Sequence, residues 1–284
     1  EELGATAVVA DALDADAVGE AVAKAEPEVV VHQLTAIGKF EPRNVDGGFA
    51  ETNRLRTEGT DILLAAAKAA GARRFVAQSN AMVPYKRVGG PVKTEDDPLM
   101  DGSPAGFAQS LDAIRHVERA VTGAEGIAGV VLRYGGFYGP GTSLALGGEQ
   151  FEAVRERKMP IVGDGGGIFS FIEIGDAADA TVAAIEGGSP GIYNVADDDP
   201  APVSKWVPFL AELLGAKPPR RFPRWLARIA AGDVMTGMLT EMRGASSDKA
   251  KRELGWRPAH PSWRQGFVEV ARGPAETADL PVAA

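Results

Sequence analysis

The sequence predicts an α/β protein in which a doubly wound parallel sheet is joined to a smaller, mainly helical C-terminal lobe. Short runs at Val29 to Leu34, Arg74 to Gln78 and Val130 to Tyr134 are apolar on both faces, as in parallel strands covered by helices on two sides. Longer stretches with apolar residues three or four positions apart lie between these runs. This alternation is typical of strands and helices that follow each other along the chain.

Local signals place the individual elements. Thr6 to Ala10 has the pattern of a strand, and it leads into a helix that Asp14 or Asp16 can cap and that ends before Pro27. Two further helices carry apolar residues at helical spacing, at Leu55, Ile62, Leu63, Ala66 and Ala70 in one and at Phe107, Leu111, Ile114, Val117 and Val121 in the other. Gly71 can end the first of these two in a left-handed cap.

The chain changes in character after Gly135. Gly-rich loops are followed by a strand over Phe169 to Ile174 and then by short amphipathic helices separated by Pro and Gly. These helices are predicted over residues 206–215, 225–231, 248–255 and 263–271. They make up the smaller lobe.

Composition excludes several classes of protein. With 284 residues, 45% of them hydrophobic, 24% charged and none of them Cys, the chain is neither disordered nor held together by disulfides. A net charge of -9 repels phosphate backbones, so we expect no nucleic-acid partner. No apolar run of about 18 residues exists to span a bilayer, so we expect a soluble protein with no membrane partner. The lack of Cys fits a cytoplasmic protein.

Four positions directly after predicted strands are where chemistry is expected, because a doubly wound sheet binds its ligand at the carboxyl ends of its strands. They are Asp11, then His32 to Ala36, then Gln78 to Ala81, then Arg133 to Gly141.

The order of these motifs resembles the extended, atypical short-chain dehydrogenase/reductase family, in its group of NAD-dependent epimerases and dehydratases. The resemblance covers nearly the whole chain, and its motifs are specific only in their succession. They are Asp11-Ala12-Leu13-Asp14, Val31-His32, Asn53 with Gly59-Thr60, Phe75-Val76 with Ser79, Leu132-Arg133 with Tyr138-Gly139-Pro140-Gly141, Gly163-Asp164-Gly165, Asp176-Ala177, Tyr193-Asn194-Val195 and Glu253-Leu254-Gly255-Trp256.

The resemblance implies a Rossmann-like domain over residues 1–140 that binds NAD or NADP, a substrate-binding lobe over 141–272 whose chain returns to the sheet, and a loose tail over 273–284. The family holds the cofactor pyrophosphate on a Gly-rich turn, but no G-x-G-x-x-G occurs in this chain. Since the chain also begins at Glu1 without an initiator Met, we expect that an N-terminal segment with this turn precedes it. The choice between NAD and NADP would be made in that segment.

The resemblance also implies which residues contact the cofactor. Asp11 would accept a hydrogen bond from the adenine amino group, with Ala12 beside it, although Asp11 can equally be a turn residue. Leu34, Thr35 and Ala36 would line the cofactor through their backbone. Further contacts are implied at Asn53, Gln78, Tyr134, Gly135 and Phe137.

Active members of the family carry a Tyr and, four residues later, a Lys on one helix face, and this chain lacks both. In the best-matching register the two positions are Phe107 and Leu111. In a register that aligns Glu118 with the usual downstream acid they are Ser110 and Ile114. Neither pair can exchange a proton as a phenol beside an ammonium does. The remaining catalytic candidates are Ser79 and Asn80, either of which can occupy the family Ser position, and Tyr134, which can instead merely line the nicotinamide.

Two phosphate-binding positions of the sugar-nucleotide members are also changed. An Asn after the Arg-containing strand corresponds to Gly136, and an Arg corresponds to Phe169. A smaller or more apolar substrate is therefore expected. The three His are too far apart to suggest a metal site, and none is predicted.

These observations predict an NAD(P)-dependent oxidoreductase or epimerase/dehydratase that acts on a small organic substrate without the usual Tyr/Lys pair. The alternative is a non-catalytic NAD(P)-binding sensor or partner-binding protein that kept the fold. The apolar face of the helix over Phe107 to Val121 permits a homodimer.

Overall fold

A computed structural model describes residues 4–37, 42–82, 84–102 and 106–273. It divides into two compact units. The first unit comprises Glu1–Ser79, Gly106–Leu132 and Ser189–Ile192. The second comprises Asn80–Ala105, Arg133–Gly188 and Tyr193–Ala284. The predicted domain boundary near residue 140 stays a prediction, and the predicted tail lies, from residue 274 on, outside the described residues.

The strands are short outside the central sheet. They are β1 (Val29–His32), β2 (Arg74–Asn80), β3 (Val92–Lys93), β4 (Ala128–Tyr134), β5 (Gly136–Tyr138), β6 (Ile161–Val162), β7 (Ile168–Phe169), β8 (Phe171–Glu173), β9 (Gly191–Val195), β10 (Ala201–Pro202), β11 (Arg221–Phe222) and β12 (Gly244–Ala245).

The helices of the first unit are α1 (Ala15–Ala25), α2 (Val45–Gly48), α3 (Ala50–Arg54), α4 (Thr60–Ala69) and α5 (Ala108–Thr122), with a π-helical turn at Leu55–Gly59 between α3 and α4. Those of the second unit are α6 (Glu149–Arg155), α7 (Ile174–Glu186), α8 (Val203–Leu213), α9 (Arg224–Glu241), α10 (Asp248–Glu253) and α11 (Trp263–Arg272). No helix in the described ranges has both the length and the apolar character that crossing a membrane requires.

The central sheet confirms the predicted fold class. Its strand order is β1-β2-β4-β9, and β1 pairs with β2 in parallel, with Val30 opposite Phe75. Phe75 and Val131 are fully buried. This agrees with the prediction, from the apolar runs, that these strands are covered by helices on both faces. In the first unit these strands pack with Leu64 and Val117 in one hydrophobic core.

Helix α1 begins as the sequence predicts. Of the two candidate caps it uses Asp14, whose carboxylate accepts hydrogen bonds from the backbone nitrogens of Asp16 and Ala17. Gly71 adopts a left-handed φ of 76° two residues after α4, as predicted.

Three predicted elements differ from the structure. Thr6 to Ala10 is no strand, and Val9 is fully exposed, because nothing in the described part of the chain pairs with this segment. The helix predicted through Leu55 is interrupted by the π-helical turn. The strand over Phe169 to Ile174 is split at Ser170, since β7 pairs with β10 and β8 pairs with β5.

An aromatic cluster forms the core of the second unit. The ring of Phe171 lies 5.5 Å from that of Trp206, 5.3 Å from that of Phe267 and 6.2 Å from that of Trp263. All four side chains are buried. Trp206 and Trp263 therefore serve packing, whereas Trp225, on α9, is 64% exposed.

A histidine joins two helices of this unit. His260 Nδ1 lies 3.0 Å from Asp176 Oδ2 at the start of α7, and its Nε2 lies 3.1 Å from Glu269 Oε2 on α11. Glu173 is the third carboxylate, 4.0 Å away. Burial alone lowers the pKa of His260, but the hydrogen bond with Asp176 and the charges of the three carboxylates outweigh it, so the pKa is raised.

We expect this contact to make stability depend on pH. A raised pKa means that protonated His260 contributes stability that is fully present below the ordinary value of 6.5 and is lost as pH rises through the folded-state pKa. Urea unfolding of the protein and of His260→Gln from about pH 5.5 to about pH 9 measures this. The free-energy difference between the two should shrink as pH rises. A difference that stays constant or grows would contradict the assignment.

Candidate functional site

Helix α5 carries the positions of the missing Tyr/Lys pair, and all of them are buried. Phe107 and Leu111 are 6% and 0% exposed, and Ser110 and Ile114 are each 2% exposed. In neither register does α5 present a phenol or an ammonium group. The apolar side chains instead pack into the first unit.

Asp46 caps the start of α5 and accepts a hydrogen bond from the hydroxyl of Ser110. Its carboxylate accepts hydrogen bonds from the backbone nitrogens of Gln109, at 3.2 Å, and Ser110, at 2.9 Å. Ser110 Oγ donates to Asp46 Oδ1 at 2.7 Å and accepts from Asn53 Nδ2 at 3.1 Å. The one hydroxyl proton of Ser110 is therefore directed at Asp46.

This network also engages Asn53, a predicted cofactor contact. Asn53 is 7% exposed, and its amide nitrogen points to Ser110. Its Oδ1 is buried and has no hydrogen-bond partner in the part of the chain that the structure describes. Asn53 thus keeps an acceptor that a bound group could use.

The predicted catalytic residues at the end of β2 make local bonds. Ser79 Oγ donates to Glu118 Oε1 on α5 at 2.8 Å, and both side chains are buried. Asn80 Oδ1 accepts from the backbone nitrogen of Met82 at 2.8 Å. The Ser79–Glu118 bond ties α5 to the sheet within the first unit.

The segment after β1 is held from three sides. His32 Nδ1 accepts from the backbone nitrogen of Leu34 at 3.3 Å, and Thr52 Oγ1 accepts from that of Ala36 at 3.1 Å. Gln78 Nε2 donates to the carbonyl of Leu34 at 3.3 Å. Leu34, Thr35 and Ala36 are exposed, so this predicted cofactor-lining segment is fixed at its backbone and open at its side chains.

His32 is a structural residue of the first unit. Burial, with a smaller contribution from the charge of Arg56, lowers the pKa of His32 to about 4, so its imidazole is neutral. With Nδ1 accepting from Leu34, the proton lies on Nε2, which is 3.0 Å from Thr60 Oγ1. Thr60 in turn donates to the carbonyl of Arg56 at 2.8 Å.

The loop before α1 contains the predicted adenine contact. Asp11 is exposed, and its Oδ1 accepts from the backbone nitrogen of Leu13 at 2.9 Å. Asp11 therefore builds the turn while its carboxylate remains open to solvent, and Ala12 is half-buried beside it.

In the second unit, an aromatic pair follows β4. Tyr134 and Phe137 have ring centroids 5.3 Å apart, and Tyr134 is 4% exposed. Tyr134 Oη lies 2.6 Å from Thr181 Oγ1, which itself donates to the carbonyl of Ala177. Because the Thr181 proton is used there, Tyr134 donates to Thr181.

The glycines between this pair are required by close packing. A Cβ on Gly135 would lie 2.7 Å from the carbonyl oxygen of Ser170. A Cβ on Gly136 would lie 3.2 Å from Met82 Sδ. The position that holds an Asn in sugar-nucleotide enzymes is thus occupied by the thioether of Met82, and Phe169 stacks on Phe171.

Two features escaped the sequence analysis. Arg56 is buried on the π-helical turn without a hydrogen-bond partner for Nε, and only its place four residues before the buried Thr60 could have indicated the inward direction. Glu173, Asp176 and His260 place potential metal-ligand atoms within 4.8 Å of one another, which the spacing of His residues could not reveal.

Both carboxylate oxygens of Asp176 and one of Glu173 already accept hydrogen bonds. Asp176 accepts from the backbone nitrogens of Ala259 and His260, and Glu173 accepts from those of Gly175 and Asp176. The prediction that no metal is bound stays a prediction.

Tyr134→Phe tests whether this phenol is a proton donor. Because its proton is directed at Thr181, we expect turnover to persist while the free energy of unfolding falls by about 1 kcal/mol, the usual worth of one hydrogen bond. Thr181→Val removes the same bond from the other side and is the matched control. Loss of turnover in Tyr134→Phe but not in Thr181→Val would show that the phenol acts on the substrate.

Comparisons with known proteins agree on the fold. A model of the "NAD dependent epimerase/dehydratase family" matches residues 1–196. A "3-diazoavenalumate denitrifying reductase" of a Streptomyces species is 49% identical over 261 residues, which span 92% of this chain and 85% of that protein.

The solved structures that are similar to this chain include two UDP-glucose 4-epimerases. UDP-glucose 4-epimerase of Thermus thermophilus, in complex with NAD, has a TM-score of 0.68 at 25% identity and covers 93% of this chain and 82% of its own. UDP-glucose 4-epimerase of Thermotoga maritima, with UDP-glucose, has a TM-score of 0.72 at 20% identity, with 95% and 84% covered.

Proposed function

Since this chain belongs to the NAD-dependent epimerase/dehydratase family, we propose that it is a nicotinamide-dependent reductase that removes a diazo group from a small aromatic acid. The observation that carries the proposal is the absence of an acid–base pair on α5. Phe107, Ser110, Leu111 and Ile114 are all buried, and Ser110 is bound to Asp46. The 49% identical denitrifying reductase supplies the reaction class that fits this absence.

Reductive loss of nitrogen differs from epimerisation and dehydration in its demand for protons. Reduced nicotinamide, when bound, supplies a hydride that forms the new C–H bond at the ring carbon of an aryl diazonium, as the C–N bond breaks and its electrons leave with neutral dinitrogen. Charge balances without any proton transfer. Epimerisation and dehydration need a group that accepts and returns protons, and α5 lacks the Tyr and Lys that serve this purpose in the family.

The residues of the first unit fit a dinucleotide. We propose that Asp11 and Ala12 bind its adenine end, and that the segment Leu34 to Ala36 lines it through its fixed backbone. Asn53 contributes an unpartnered buried oxygen, and Gln78 holds the Leu34 carbonyl in place. These residues bind and orient the cofactor.

The residues of the second unit fit an apolar, aromatic substrate. Tyr134 and Phe137 offer adjacent rings, with Gly135 allowing the close approach to Ser170, and we propose that they line the nicotinamide and the substrate ring. The two residues that bind phosphate in the sugar-nucleotide enzymes, an Asn and an Arg, correspond here to Gly136 and Phe169. Gly136 packs against Met82, and Phe169 stacks on Phe171. Ser79 and Asn80 remain as polar groups that orient the substrate.

Three finer features belong to the same proposal. NAD and NADP are both candidates, and binding measurements with NADH and NADPH distinguish them. A cytoplasmic location fits a chain without Cys. A homodimer through α5 stays a prediction.

The reaction is tested by supplying nicotinamide deuterated at its transferable position together with an aryl diazonium carboxylate. We expect nicotinamide oxidation, an equal amount of dinitrogen, and one deuterium at the carbon that carried nitrogen, because the hydride goes directly to that carbon. A UDP-sugar and a simple ketone are the control substrates and should give neither oxidation nor an epimer.

If the protein bound the reduced nicotinamide dinucleotide but did not convert the aryl diazonium, the proposed reductase activity would be contradicted and the non-catalytic sensor would be favoured. Product that carries solvent hydrogen instead of deuterium would contradict direct hydride transfer.

A further inference from the structure

Arg56 is a buried cation in the first unit with no counter-charge. It is 9% exposed, and its Nε has no hydrogen-bond partner among residues 4–37, 42–82, 84–102 and 106–273. Within the described ranges no carboxylate pairs with its guanidinium, and burial is what lowers its pKa. Arginine nevertheless stays charged in proteins.

Arg54, two residues earlier, shows the ordinary arrangement. Its side chain is 49% exposed and lies 3.1 Å from Glu58 and 3.9 Å from Glu51. The exposed face of this segment thus has two carboxylates, Glu51 and Glu58, beside Arg54. On the buried face, no carboxylate of the described residues pairs with Arg56.

The groups around Arg56 are neutral. Burial, with a smaller contribution from the charge of Arg56, lowers the pKa of His32 to about 4, so the imidazole is neutral and is not a second cation. Thr60 bonds to the backbone carbonyl of Arg56 and to His32. An isolated buried charge destabilises a fold unless an anion compensates it.

The turn that carries Arg56 contacts two segments that are predicted to bind the cofactor. Arg56 sits on a π-helical turn, an interruption that often marks functional positions in helices. Through Thr60 and His32 it adjoins the segment that begins at Leu34. The same turn borders the loop after Asp11, since a Cβ on Gly59 would lie 3.8 Å from Leu13 Cδ2.

We propose that Arg56 binds a phosphate group of the nicotinamide dinucleotide, an inference that rests on the proposed function. The planar guanidinium matches phosphate oxygens with paired hydrogen bonds. The phosphate can be the pyrophosphate, shared by NADH and NADPH, or the ribose 2′-phosphate of NADPH alone. The two sources share one chemistry, and binding measurements with both cofactors separate them.

The test is calorimetric titration of NADH and NADPH into the protein and into Arg56→Gln, Arg56→Lys and Arg54→Gln. We expect Arg56→Gln to raise the dissociation constant by about tenfold or more, because a charge-assisted hydrogen bond is lost. Arg56→Lys should lie in between, since it keeps the charge but not the paired geometry. Arg54→Gln, which removes the same charge from the exposed face, should stay within about twofold.

Weakening of both cofactors assigns Arg56 to the pyrophosphate, and weakening of NADPH alone assigns it to the 2′-phosphate. The melting temperature without ligand gives an independent readout. Removing an uncompensated buried charge should leave Arg56→Gln at least as stable as the parent protein, whereas a structural role predicts a loss of stability.

Unchanged affinity for both cofactors in Arg56→Gln would overturn this inference alone. If the parent protein bound neither cofactor, the proposed function would fall and this inference with it.

Discussion

The carboxylate of Asp46 at the start of helix α5 is the contact on which the local structure of the candidate site depends. A carboxylate at a helix N-terminus is favoured by the free backbone nitrogens and by the helix dipole. Here it binds two of those nitrogens and the hydroxyl of Ser110 as well. In the register that aligns Glu118 with the family's downstream acid, one catalytic position thereby becomes part of a structural network that includes Asn53. The second position in that register, Ile114, is packed in the core, and so are Phe107 and Leu111, the positions in the other register.

This constraint narrows the chemistry more than the fold does. The fold is shared by epimerases, dehydratases and reductases, and it says little about which reaction occurs. A helix that lacks the Tyr and Lys of the family can still support hydride transfer when the leaving group departs as a neutral molecule. Dinitrogen is such a leaving group, and the reductase with 49% identity is named for removing nitrogen. Apolar packing at Gly136 and Phe169 also favours an apolar substrate over a phosphorylated sugar.

The elements that the sequence predicted best are those whose signals are local. Asp14 caps α1 and Gly71 follows α4 because a side-chain oxygen and a left-handed φ act within a few residues. The strand at Thr6 to Ala10 failed because a strand also needs a neighbour, which periodicity does not supply. The partners of His260 and the inward turn of Arg56 depend on contacts between distant segments. Ser79 could be named as a site candidate, but its bond to Glu118 could not be foreseen.

The proposed reaction transfers a hydride without moving a proton. The solvent deuterium isotope effect on single-turnover oxidation of the nicotinamide by an aryl diazonium measures this directly. The account predicts an effect near one, since no bond to an exchangeable hydrogen changes in that step. An effect of about two or more would show that a proton moves in the transition state and would contradict it.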